Sequence, residues 1–168
     1  MSSNVFFIDD DFSRKMSKAF ISFVEENITN NSKDITIVVD SVGGDSVDAT
    51  LMSHWLRKRR GSFTAINVVV LGNCMSAAFD FVVSVKDIAA IKTTRTALYM
   101  LHKIFLKDLP ADSKAHKEAK RIQKADLEAS LKAYGKVLTS SQVLALKKGL
   151  DVYLSIEQAV SLLNAERI

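Results

Sequence analysis

A serine, a histidine and an aspartate stand far apart in the chain, in an order that could support acyl transfer. Ser76 lies among small residues, His102 directly follows an apolar run, and Asp151 lies between apolar residues. A serine hydroxyl becomes a good nucleophile only beside a base. The imidazole of that base needs an acceptor on its second nitrogen. These residues therefore predict a nucleophile, a general base and an orienting carboxylate, with Asp80 and Asp87 as weaker choices for the carboxylate.

Each candidate also has an ordinary structural explanation. Taken alone, Ser76 could be a helix N-cap or a small packing residue. A lone histidine at a strand end, such as His102, is more often structural. His54 and His116 fall on predicted helices and are interpreted as structural or solvated. Cys74 is a remote alternative nucleophile.

The chain also offers donors for a developing oxyanion. Acyl transfer needs N–H groups that face the position where negative charge forms. The pair Gly43 and Gly44 allows a close backbone approach because neither residue has a side chain. We predict the N–H groups of Gly44 and Ala77 as the two donors, although a Gly-Gly pair taken alone more often marks a plain tight turn.

Three short apolar, β-branched runs, at 35–39, 65–71 and 96–99, precede these candidates. Such runs, ended by small or turn residues, are typical of buried strands. In open α/β sheets, sites form where the carboxyl ends of strands meet. The Gly-Gly turn, the serine and the histidine are therefore expected to converge at one sheet edge.

Strands alternate with helices along the chain, which predicts an α/β fold with mainly parallel pairing. We expect one domain over residues 1–168. Strands are predicted at 5–8, 35–39, 65–71, 87–91, 96–100 and 150–154. Helices are predicted at 12–26, 46–59, 75–83 and 111–134. A short helix that ends at residue 148 and a final helix that follows Ser155 are also predicted. The polar helix at 111–134 is expected to project or to pack on one edge, and the aspartates at 9–11 are expected to cap the first helix.

Composition narrows the function classes. Hydrophobic residues make up 48% of the 168 residues and charged residues 25%, as in ordinary globular proteins. One cysteine excludes an internal disulfide and fits a reducing compartment. No apolar run reaches the roughly 20 residues that span a bilayer. The N-terminus lacks a signal peptide's basic region, so cytoplasm is the expected location. The net charge of +4 is better explained by helix ends and solvated helix faces than by a nucleic-acid patch.

Together the motifs resemble the proteolytic subunit of the Clp protease, which has a crotonase-like fold. Residues 41–44 resemble that family's Ser-Pro-Gly-Gly turn, and residues 72–76 its Gly-Gln-Ala-Ala-Ser nucleophile segment. Residues 98–102 resemble the strand that ends in the catalytic histidine, and residues 151–155 the segment with the triad aspartate. The resemblance covers residues 5–168 and keeps the family's order and separations.

The resemblance implies a crotonase-like β-β-α superhelix and a serine endopeptidase. Ser76 would be the nucleophile, His102 the base and Asp151 its orienter, with Gly44 and Ala77 forming the oxyanion hole. It also implies a homo-oligomer of heptameric rings, stacked in pairs, that cleaves unfolded protein delivered by an ATP-driven unfoldase. We expect no cofactor, no metal, no nucleic acid and no membrane partner.

Several departures mark a divergent and short member. The chain starts almost at its first predicted strand, where the family has axial loops that serve unfoldase docking. The family's glycine-rich handle strand, which joins rings, is replaced by residues 105–114 with lysines and a proline. The sequence also differs from the family's pattern at Val42, Ala78, Lys103 and Ile104 and over residues 163–166.

Two other functions follow from these patterns. The altered handle and the missing axial loops are also compatible with an inactive ring subunit or assembly protein that keeps the fold. A crotonase-type acyl-CoA enzyme shares the superhelix and a two-amide oxyanion hole. It fits less well, because that family has no need of a Ser-His pair.

Overall fold

A seven-stranded, mainly parallel sheet organises the computed structural model, which describes residues 4–103 and 113–168. The strands are β1 (Val5–Ile8), β2 (Asp34–Ser41), β3 (Ala65–Met75), β4 (Ala90–Thr93), β5 (Leu98–Leu101), β6 (Val152–Leu154) and β7 (Glu166–Arg167). The α-helices of the described residues are α1 (Arg14–Thr29), α2 (Ser46–Arg59), α3 (Ala77–Val85), α4 (Lys114–Tyr134), α5 (Ser140–Lys147) and α6 (Ile156–Leu163). The predicted α/β class is confirmed.

Strand β3 is the centre of the sheet and has different neighbours along its length. The strand order is β1-β2-β3-β4-β7, and β5 also pairs with β3. The first half of β3 pairs with β4, whereas residues 73–75 pair in parallel with residues 98–100 of β5. Strand β6 joins β5 in the one antiparallel pair of the described sheet. The carboxyl ends of β2, β3 and β5 therefore lie together.

The core lies between the sheet and the helices α1, α2 and α3. Alternate residues of β2 point into it, and Ile35, Ile37 and Val39 have no exposed surface, as the period of a strand requires. Phe20 of α1 meets Phe81 of α3 edge to face, with ring centroids 6.0 Å apart. Helix α3 is thus fixed against both its neighbours and the sheet, which matters because it begins at Ala77.

The first helix begins later than the prediction of 12–26. Ser13, not the aspartates at 9–11, caps α1, and its hydroxyl accepts the Met16 N–H at 3.3 Å. Phe12 stays extended because its N–H donates to the Gly43 carbonyl and its own carbonyl accepts the Asp45 N–H. The segment before α1 is therefore held against the Gly-Gly turn.

The boundary between β3 and α3 also differs from the prediction. β3 continues to Met75 instead of ending at residue 71, and α3 covers Ala77–Val85 instead of 75–83. The reason is the pairing of residues 73–75 with β5. That pairing holds small, turn-like residues in extended form, and no local pattern reveals it.

Smaller differences concern the later elements. β4 covers Ala90–Thr93 rather than 87–91, since the N–H groups of Ile88 and Ala89 bond to the Val85 carbonyl and keep them in a turn. The two-residue strand β7 was not predicted and depends on pairing with β4. Residues 105–112, predicted to replace the handle strand, and the first residues predicted for the helix at 111–134 lie outside the described residues.

Helix α4 is described from Lys114, and Ser113 caps it. Tyr134 at its end is its only buried residue, which agrees with a helix that projects or packs on one edge. Within residues 4–103 and 113–168, no helix combines the length and apolar character needed to cross a bilayer.

The buried carboxylate of Asp48 on α2 bonds to side chains of α1, and its replacement tests how much this contact stabilises the fold. Asp48 is buried, accepts the Ser17 hydroxyl at 2.7 Å and lies 3.4 Å from the Arg14 Nε. Asp48→Ala should lower the free energy of unfolding by about 1–3 kcal/mol, because it removes the charged partner of a buried hydroxyl. Asp87→Ala, at an exposed ion pair with Arg57, should cost under about 1 kcal/mol. Urea denaturation of both variants measures the difference; equal losses would contradict it.

Candidate active site

Ser76 occupies a sharp, strained turn between β3 and α3. Its φ is 52° and its ψ is −124°, a conformation that side-chain-bearing residues rarely adopt. The Ser76 N–H donates to the Met100 carbonyl of β5 at 2.8 Å, which holds the turn in place. The Ser76 hydroxyl makes no capping bond to α3. The N-cap explanation of this serine is therefore not supported, and the strain resembles that of a nucleophile on a strand-to-helix elbow.

Gly43 makes this turn sterically possible. A Cβ at Gly43 would lie 2.8 Å from the Ser76 Cβ and 2.9 Å from the Met75 carbonyl oxygen. Its φ of 121° is also accessible chiefly to glycine. Gly43 is buried behind the serine turn, where it permits the close approach of β2 to the start of α3.

Two N–H groups at this turn are available to an oxyanion. The parallel bridge between Phe12 and Gly44 uses the backbone groups of Gly43 and Asp45, which leaves the Gly44 N–H outside the bridge. Ala77 is the first residue of α3, so its N–H has no acceptor inside the helix. Neither N–H has a hydrogen-bond partner within the described residues. Both belong to residues that line the cavity beside Ser76.

That cavity brings together four of the six residues predicted for the site. It has a volume of about 350 Å³. Its described lining residues are Val42, Gly44, Ser46, Ser76, Ala77, Asp80 and His102. The nucleophile, base and oxyanion donors predicted from the sequence thus share one concave surface, whereas Gly43 and Asp151 are not among the lining residues.

His102 reaches the cavity because β5 runs parallel to β3. Met75 pairs with Met100, and one further step along each strand leads to Ser76 and towards His102. The His102 Nδ1 lies 2.7 Å from the Lys103 carbonyl oxygen. A carbonyl oxygen only accepts, so Nδ1 is the donor in this contact, and in a neutral ring with this tautomer Nε2 is the nitrogen that can accept a proton.

Asp151 lies next to His102 in the strand register but stands outside the cavity. Leu101 pairs with Val152 in the antiparallel ladder, so Asp151 immediately precedes the paired segment that His102 follows. Asp151 is exposed. Among the described contacts no hydrogen bond joins its carboxylate to the imidazole, and the Lys103 carbonyl takes the Nδ1 proton instead.

Asp80 is a cavity residue that the sequence suggested only weakly. It follows Ser76 by four residues, so the start of α3 presents both on one side. The Tyr134 hydroxyl of α4 donates to Asp80 Oδ1 at 2.7 Å. Burial by the protein atoms of the cavity wall raises the pKa of Asp80, and the charge of Asp126 raises it further. The Tyr134 hydrogen bond and the charge of His102 act in the opposite direction, but the net result is a raised pKa. Asp80 still meets solvent through the cavities, which limits this effect.

The remaining sequence candidates lie elsewhere. Asp87 forms a two-point pair with Arg57, with contacts of 2.6 and 2.8 Å, which lowers the pKa of Asp87. Cys74 is completely buried, and this burial raises the pKa of its thiol, so it is held as an unreactive thiol. His54 is exposed on α2, and His116 lies on α4.

The raised pKa of Asp80 predicts that Asp80→Asn stabilises the fold at neutral pH. Below the ordinary aspartate pKa of about 3.9, both folded and unfolded states are protonated and carry no penalty. Between that pH and the raised pKa of the folded state, the carboxyl group ionises more readily in the unfolded chain, so the folded state loses stability as the pH rises. Above the raised pKa both states are ionised, and the loss of stability stays constant. Asparagine keeps an acceptor for Tyr134 without the charge. At pH 7 the melting temperature should rise by about 1–3 °C. A gain of equal size at pH 3 would contradict this explanation.

Comparison with known proteins identifies a similar solved structure. No protein-family model matches the chain, and no curated protein matches it in sequence. The structure of a ClpP1 mutant from Listeria monocytogenes is similar at a TM-score of 0.67, with 19% sequence identity. The match covers 98% of this chain and 91% of that one. The chain therefore has a Clp-protease-like fold.

Proposed function

We propose that this protein is a serine endopeptidase of the Clp proteolytic type. One observation carries the proposal: Ser76 lies on a strained turn, in one cavity with His102 and with two residues whose N–H groups lack partners among the described residues. Strain of this kind concentrates at sites where it serves chemistry. A packing or capping serine would need neither the strain nor the facing amides.

The proposed reaction uses the chain's own groups. The His102 Nε2 accepts the Ser76 proton as the Ser76 oxygen attacks the peptide carbonyl carbon. The Gly44 and Ala77 N–H groups donate to the oxyanion of the tetrahedral intermediate. The imidazolium then returns the proton to the leaving amine, the C–N bond breaks, and water releases the acyl group by the same steps.

The orienting role is proposed for Asp151, supported by its position beside His102 at the end of the β5–β6 ladder. In the described conformation the Lys103 carbonyl accepts from Nδ1. Catalysis by Asp151 would require the imidazole to exchange this carbonyl for the carboxylate, which bears a full charge and stabilises an imidazolium better.

The resemblance to Clp proteolytic subunits also supports a homo-oligomeric ring that acts on unfolded proteins or peptides, with an unfoldase as a further partner. We propose that the whole chain, residues 1–168, acts as one domain in the cytoplasm. Several large apolar side chains are exposed on the isolated chain, as subunit contacts would require. They include Phe7, Leu71, Leu98, Leu150, Tyr153 and Ile168.

Labelling with a fluorophosphonate probe tests the nucleophile directly. Folded protein should take up one probe per chain, and peptide mapping should find it on Ser76. Protein unfolded in urea should not react, because an isolated serine hydroxyl is a poor nucleophile. Absence of labelling in a folded ring of the expected native mass would contradict the proposal and favour the inactive ring subunit.

A further inference from the structure

Asp80 is a carboxylate of the candidate site that the proposed reaction does not use. It belongs to the first turn of α3 and lines the same cavity as Ser76 and His102. The protein atoms of the cavity wall lie close enough to raise its pKa, although the residue stays open to solvent on the cavity side. An ionised group in such a place loses part of its solvation, so the groups that it faces decide what it can do.

Titratable groups from three other parts of the fold face Asp80. His102 follows β5, and its charge lowers the pKa of Asp80, whereas the charge of Asp126 on α4 raises it. The Tyr134 hydroxyl of α4 donates to Asp80 Oδ1 at 2.7 Å. Cys74 of β3 stays a neutral thiol, because burial and the charge of Asp80 both raise its pKa. Among these titratable groups, only His102 can become positive.

Tyr134 fixes the position of this carboxylate. It is buried at the end of α4, and its ring packs against Phe79 of α3 with the ring centroids 5.4 Å apart. Burial and the charge of Asp80 raise the pKa of the Tyr134 hydroxyl, so the hydroxyl remains a donor at neutral pH. A hydrogen bond to an ionised carboxylate is among the stronger ones. The carboxylate of Asp80 is therefore held in the cavity wall.

The His102 imidazole needs a negative charge that its Nδ1 contact does not provide. As Ser76 attacks, His102 becomes an imidazolium, which a carboxylate stabilises in serine peptidases. The Lys103 carbonyl, 2.7 Å from Nδ1, fixes the tautomer but carries only a partial charge. Asp151 is exposed and is not among the residues described as lining the cavity. Asp80 shares the cavity with the imidazole, so its charge acts on the ring as the ring stands.

From this geometry we infer that Asp80, held by Tyr134, supplies the negative charge that stabilises the His102 imidazolium during peptide hydrolysis. This inference rests on the proposed function, since it adds a positioning residue to the Ser76 site. Asp80 acts on His102 and not on the substrate, and it exchanges no proton and forms no covalent bond. Its role differs from that of Asp151, which requires the imidazole to leave its present carbonyl partner. One charge then lowers stability and raises activity, a common trade-off at functional sites.

Steady-state hydrolysis of a peptide tests the inference. Asp80→Asn removes the charge and keeps an acceptor for Tyr134. We expect kcat to fall about tenfold while KM changes by less than about twofold, because the lost attraction exists only when the imidazolium forms. Asp87→Asn, which neutralises a carboxylate outside the cavity, should leave both values unchanged. A lower kcat together with the higher melting temperature expected of Asp80→Asn is a combination that a purely structural role would not produce.

Tyr134→Phe tests how the carboxylate is held. Loss of the hydroxyl removes a hydrogen bond that lowers the pKa of Asp80, so more of Asp80 is protonated at acidic pH. The loss of kcat should therefore be largest there, should approach the loss in Asp80→Asn, and should shrink as the pH rises. In the Asp80→Asn background the same change should have no further effect on kcat. Equal losses in both backgrounds would overturn the role of Tyr134.

An NMR titration of the histidines keeps the inference testable without turnover. The midpoint for the His102 imidazole should lie about one pH unit lower in Asp80→Asn than in the wild type, which corresponds to the expected fall of about tenfold in kcat. His54, which is exposed on α2, is the internal reference and should not move.

The outcomes separate the inference from the proposed function. If Ser76 accepts the fluorophosphonate but Asp80→Asn keeps its kcat, the inference is overturned and the proposed function stands. A fall in kcat without a change in the His102 midpoint would also overturn the inference. If the midpoint moves as expected but Ser76 is inert, the charge pairing of Asp80 with His102 stands and the proposed catalysis fails.

Discussion

Under the proposed function, Ser76→Ala should reduce peptide hydrolysis by about four to six orders of magnitude, because the nucleophile and the base of a serine peptidase act as a unit. The loss should appear in kcat, since in the proposed reaction the hydroxyl forms the covalent bond and contributes little to substrate binding. The free energy of unfolding should not fall. Alanine removes a hydroxyl that makes no hydrogen bond within the described structure, and it keeps the Cβ already present at the strained turn.

Cys74→Ala is the matched control for this loss. Cys74 is two residues from Ser76, but its thiol is buried and its pKa is raised, so it cannot supply a thiolate. This variant should keep its activity on peptides if the small volume change in the core is tolerated. Peptide turnover that survives in Ser76→Ala and disappears in Cys74→Ala would overturn the assignment of the nucleophile.

Gly43→Ala should damage both stability and activity. The new Cβ would lie 2.8 Å from the Ser76 Cβ and 2.9 Å from the Met75 carbonyl oxygen, at a φ of 121°. Backbone strain and overpacking each cost about 1–3 kcal/mol, so the free energy of unfolding should fall by at least about 2 kcal/mol. The strained serine turn would have to shift, and a displacement near 1 Å costs about a hundredfold in rate.

Gly61→Ala is the control for this prediction. A Cβ at Gly61 meets no atom within 4 Å, and its φ is not in the left-handed region. It should change the free energy of unfolding by no more than about 1 kcal/mol. Chemical denaturation and the rate of fluorophosphonate labelling report the two effects of Gly43→Ala separately. Normal labelling of a stable Gly43→Ala variant would show that the approach of Gly43 to the serine turn is unimportant.

The amino-acid sequence by itself determined the class of fold and pointed to four of the residues that line the candidate site, namely Gly44, Ser76, Ala77 and His102. Apolar runs with a strand period indicated six of the seven described strands, and their ends carried the serine, the histidine and the Gly-Gly turn. These features are local: a strand pattern, a helix cap or a glycine pair depends on a few neighbouring residues. The order of the motifs added the resemblance to Clp proteolytic subunits.

Only the tertiary structure decided which groups meet. The strained φ of Ser76 follows from the pairing of β3 with β5, and the role of Gly43 follows from its approach to that turn. Asp80, Tyr134 and Asp126 come from α3 and α4, and their proximity depends on how these helices pack. Register and helix packing join residues distant in the chain. No local pattern encodes them, so the grouping of these residues became visible only in three dimensions.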